Sequence, residues 1–155
     1  MGMNDIVRSL AKAYSINLDG LRGRDSEKLS QVIEHELGAI VTPQELASAL
    51  SVSALATLVQ ARLPKNGLGM TVLDIYHDIE KLAREEYHPN IPYQWTALWD
   101  EFLNVGNWFT KPDGLDAVEI VLRMEDKYRI KISDEIAAAM VTVGDTVRYL
   151  WRHMT

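Results

Sequence analysis

The chain has 155 residues, a net charge of −6 and 47% hydrophobic residues, enough for one ordinary domain or two small ones with a buried core. It has no cysteine, which excludes disulfides, thiolate catalysis and cysteine metal sites. No apolar run approaches the ~18 residues of a membrane-crossing helix, and no basic face suited to nucleic acid is evident. The opening MGMNDIVRSL lacks the basic start and apolar core of an export signal, so a cytoplasmic location is expected. Charge is uneven. Residues 1–64 hold 6 Lys/Arg and 7 Asp/Glu, whereas residues 65–155 hold 10 and 15.

In chain order, residues 3–15 place Ile6, Val7, Leu10, Ala11 and Tyr14 on one helical face. A second helix is expected to start near Asp25-Ser26, carry Leu29, Val32, Ile33 and Leu37, and stop at Gly38. Thr42-Pro43-Gln44-Glu45 combines a threonine cap, proline at the first position and glutamate at the third. This short helix is expected to reach about Leu50. Ser51 or Ser53 caps a helix from Ala54 to Arg62. Leu63 to Gly69, with one Pro and two Gly, reads as a linker. Thr71 caps a helix ending near Tyr87. The connection His88 to Pro112 is rich in aromatics, including Tyr93, Trp95, Trp99 and Trp108, and predicts a short helix over Thr96–Asn104. That cluster suits core filling, or alternatively a pocket wall or partner surface.

Asp113-Gly114-Leu115-Asp116 opens an amphipathic run to Tyr128. A connector of Arg129 to Ile132 follows. Ser133 and Thr142 are good caps for two further helices, with Asp134, Glu135 and Asp145 in their first turns, where the helix dipole favours negative charge. From Asp113 to Leu150 this order and spacing resembles an acyl carrier protein. The matching residues are Asp113, Leu115-Asp116, Val118-Glu119, Glu125-Asp126, Ile132 to Glu135 and Thr142-Val143. The resemblance implies an all-α helical bundle whose second helix opens on a serine bearing 4′-phosphopantetheine. That serine falls on Gly114, which has no hydroxyl. It further implies that Asp113, Leu115, Asp116, Glu119, Leu122, Glu125 and Asp126 meet the basic surface of an acyl-transferring or synthase enzyme, in fatty acid or polyketide biosynthesis. An ordinary solvated face, with Leu115 and Leu122 in the core, is the competing reading.

A shift of 91 residues lays the first half on the second, Gly23 on Gly114, Leu29 on Ile120, Thr42 on Ser133 and Ser51 on Thr142. The expected architecture is two tandem carrier-like bundles: a reduced one over 1–63, a linker over 64–70 and a four-helix bundle over 71–155. In a competing register, Gly23-Arg24-Asp25-Ser26 reads locally as a carrier motif, with Ser26 as the attachment serine. The alternative is that Asp25 or Ser26 caps a helix.

Enzyme motifs are absent. Glu85-x-x-His88 and His77-x-x-Glu80 have spacings found in metal-binding bundles, but a di-iron site needs two Glu-x-x-His motifs and further glutamates. No catalytic or metal-ligating residues are therefore assigned. The expected function is that of an acyl carrier protein-like protein, a divergent carrier or carrier-derived docking module acting with acyl-transferring or synthase enzymes. The alternatives are a working carrier using Ser26 and, last, a small helical enzyme or metal protein.

Overall fold

A helix needs a start signal, and Thr42, Ser51, Thr71, Ser133 and Thr142 supply it for five of the helices described. The computed structural model describes residues 2–21, 23–86, 93–99 and 115–154, and the side chains of all of these except 85–86 and 115–119. The regular structure described is helical, and the chain divides into two compact units, Met1–Lys65 and Asn66–Thr155.

In the first unit, α1 (Met3–Ala13) buries Ile6, Val7 and Leu10 completely. Each such side chain contributes roughly 1.5–3 kcal/mol through its removal from water. A 3-10 turn, Leu18–Gly20, precedes α2 (Arg24–Leu37). The cap of α2 is Gly23 (φ +54°), with no side-chain capping bond, and its stop is Gly38 in the left-handed region at φ +74°. α3 (Pro43–Ala47) opens on the expected capping box: the Glu45 amide donates to Thr42 Oγ1 at 3.2 Å, and the Thr42 amide to Glu45 Oε1 at 3.2 Å. It ends at Ala47, short of the expected Leu50, because the chain turns away at Ser48 and leaves Leu50 in solvent. α4 (Val52–Ala61) is capped by Ser51, whose hydroxyl accepts from the Ala54 amide at 3.0 Å. α1 packs on α4 and α2 on α3. Two side-chain ties close the unit: Tyr14 donates to Glu36 at 2.9 Å, and Arg62 pairs with Glu45 while also reaching the Ile40 carbonyl at 3.2 Å.

In the second unit, α5 (Val72–Glu86) starts on a reciprocal Thr71–Asp74 pair. α6 (Leu115–Tyr128), α7 (Asp134–Ala139, capped by Ser133) and α8 (Val143–His153, capped by Thr142) follow. α5 packs on both α8 and α6. Residues 66–70, expected as linker, belong to this unit. The Asn66 side chain donates to the Trp151 carbonyl at 3.1 Å, and the Trp151 indole to the Met70 carbonyl at 2.8 Å.

Of the helix expected over Thr96–Asn104, the described part has a turn at Thr96, a single antiparallel bridge between Leu98 and Thr142, and helix at Trp99. Residues 100–104 lie outside the described residues. The Gly144 amide donates to the Trp95 carbonyl at 2.8 Å, Val143 to Ala97 at 3.0 Å, and Trp99 to Val141 at 3.0 Å. Those from Val143 and Gly144 satisfy amides that the first turn of α8 would otherwise leave unpaired. Tyr93, Trp95 and Trp99 are buried against Tyr76, Gly144 and Thr146, which makes them core.

The 91-residue shift brings three helix starts into register, but not α1 and α5, which it leaves apart. Arg24, Pro43 and Val52 start helices in the first unit, and Leu115, Asp134 and Val143 start their counterparts. The stops correspond too: Gly38 and Arg129 both have positive φ, +74° and +52°.

Candidate partner-docking face

α6 carries the described part of the docking face that the sequence suggests. Leu122 is 57% exposed, so it is a surface residue, not core. Asp126, one turn later on the same side of the helix, is also exposed. Glu125 differs from them. It is only partly exposed, and Oε2 accepts the Ile132 amide at 3.0 Å, which pins the connector between α6 and α7. Part of its charge is therefore committed inside the unit. Basic residues share this helix, with Arg123 partly exposed and Lys127 exposed, so the described surface is mixed in sign.

The far end of α6 is anchored to α5. Tyr128 donates to Asp78 at 3.2 Å, and Lys127 lies 3.9 Å from the same carboxylate. Burial, and then the neighbouring Asp78 charge, hold the Tyr128 hydroxyl well above the usual phenol range. Asp113 and Gly114 lie outside the described residues. Leu115, Asp116 and Glu119 are on the backbone of α6, but their side chains lie outside the described set.

Ser26 sits in the first turn of α2 and is 4% exposed. Its hydroxyl donates to the Gly23 carbonyl at 2.8 Å. This bond runs opposite to a cap, in which the side-chain oxygen would accept from an amide. The capping role expected of Asp25 or Ser26 therefore passes to Gly23. Of the metal-like spacings, His77 lies 3.9 Å from Glu80, whose other oxygen pairs with Arg84 at 3.3 Å. His88 lies outside the described residues. Among the described residues no group of three or more carboxylates and histidines is placed to hold a metal ion.

One feature of the first unit had no signal of its own in the sequence. A cleft of about 260 Å³ lies between the Leu18–Gly20 turn and the segment from Ala47 to Leu55. No family model and no solved structure matches this chain.

Proposed function

We propose that this protein is a carrier-derived docking module that engages the basic surface of an acyl-transferring or synthase enzyme without a prosthetic arm of its own. The observation that carries the reading is Leu122: a large apolar side chain more than half exposed, one helical turn from exposed Asp126. An apolar contact beside a charge suits a partner surface, the charge guiding encounter and the leucine supplying contact energy. The absent hydroxyl at Gly114 supports the lack of an arm, since 4′-phosphopantetheine is joined through a side-chain oxygen. So does the inward, hydrogen-bonded hydroxyl of Ser26.

The test is coexpression with a phosphopantetheinyl transferase, followed by intact-mass analysis and binding to a synthase. Unchanged mass is expected, together with binding that falls roughly tenfold in Leu122→Ala, about the loss of one buried apolar contact. A gain of one phosphopantetheine that disappears in Ser26→Ala would establish a working carrier instead.

A further inference from the structure

We draw no further inference here: the strongest candidate, the exposed cationic patch of Lys127, Arg129 and Lys131 at the end of α6 and on the connector to α7, is interleaved with exposed Asp126, Asp134 and Glu135 and already suits the negative end of the α6 dipole, and nothing in the structure shows what covers it.

Discussion

Gly144 shows how one missing side chain can decide the packing of a whole segment. A Cβ there would sit 2.3 Å from Trp95 Nε1 and 2.7 Å from two further indole atoms, and Trp95 is itself only 1% exposed. Gly144→Ala should therefore cost about 1–3 kcal/mol, the usual range for overpacking. Urea unfolding followed by tryptophan fluorescence checks this, and an unchanged midpoint would mean the indole is not held where it lies. Glu45 makes a different point. The bond from Arg62, then that from the Thr42 amide, lowers its carboxyl to about 2 from 4.5. A depressed folded-state value stabilises the fold above the unfolded value and loses that contribution as the carboxyl protonates. Wild type should thus lose stability between pH 4.5 and 2, an acid-dependent part that Glu45→Gln removes. The pair is exposed, so the effect should be modest. Thermal melts of both proteins across that window decide the matter, and parallel curves would show that the ion pair contributes nothing.

Helix ends were the most legible elements, because a cap is decided within four residues. Thr42, Ser51, Ser133 and Thr142 all cap as their side chains suggest, each accepting from the amide three residues on. The start of α2 was less legible, since Gly23 has no side chain to announce it and Ser26 turns its hydroxyl back to a carbonyl. The turn and bridge over Thr96–Leu98 were not legible, although Trp99 is helical as expected. Their conformation is decided by amides more than 40 residues away along the chain, between Trp95 and Gly144, and no local propensity reports such pairing. The helix stops allow a paired test. Gly38 and Arg129 occupy equivalent left-handed positions, but only Gly38 is free of the Cβ penalty. A Cβ on Gly38 would also approach Pro64 Cγ to 3.2 Å. Gly38→Ala should cost about 1–2 kcal/mol, whereas Arg129→Gly should be neutral or gain up to about 1 kcal/mol. Chemical denaturation of both variants measures the asymmetry, and equal destabilisation would count against a shared stop geometry.

At the scale of the whole molecule, a recurring 91-residue spacing is compatible with two bundles, though it relates only three of the helix starts. Buried positions recur at that spacing: Leu29, Ile33 and Leu37 in α2 are matched by buried Ile120, Met124 and Tyr128 in α6. Composition marked a break near Pro64 but misjudged where it ends. Gly67 and Gly69 suggested a free linker, while the deciding contacts come from Trp151 at the other end of the unit. Asn66 also turns the chain locally, its side-chain oxygen accepting from the Leu68 and Met70 amides at 3.0 Å each. The segment is thus a folded lead-in to α5 whose loss would strip both polar partners from Trp151. Two fragments separate these descriptions. If residues 66–70 were only a tether, fragments 66–155 and 71–155 would unfold at the same urea concentration. The hydrogen bonds to Trp151 instead predict that 66–155 is more stable by about 1–3 kcal/mol, two bonds at their usual net value. The shorter fragment should also show a more solvent-exposed indole in its fluorescence.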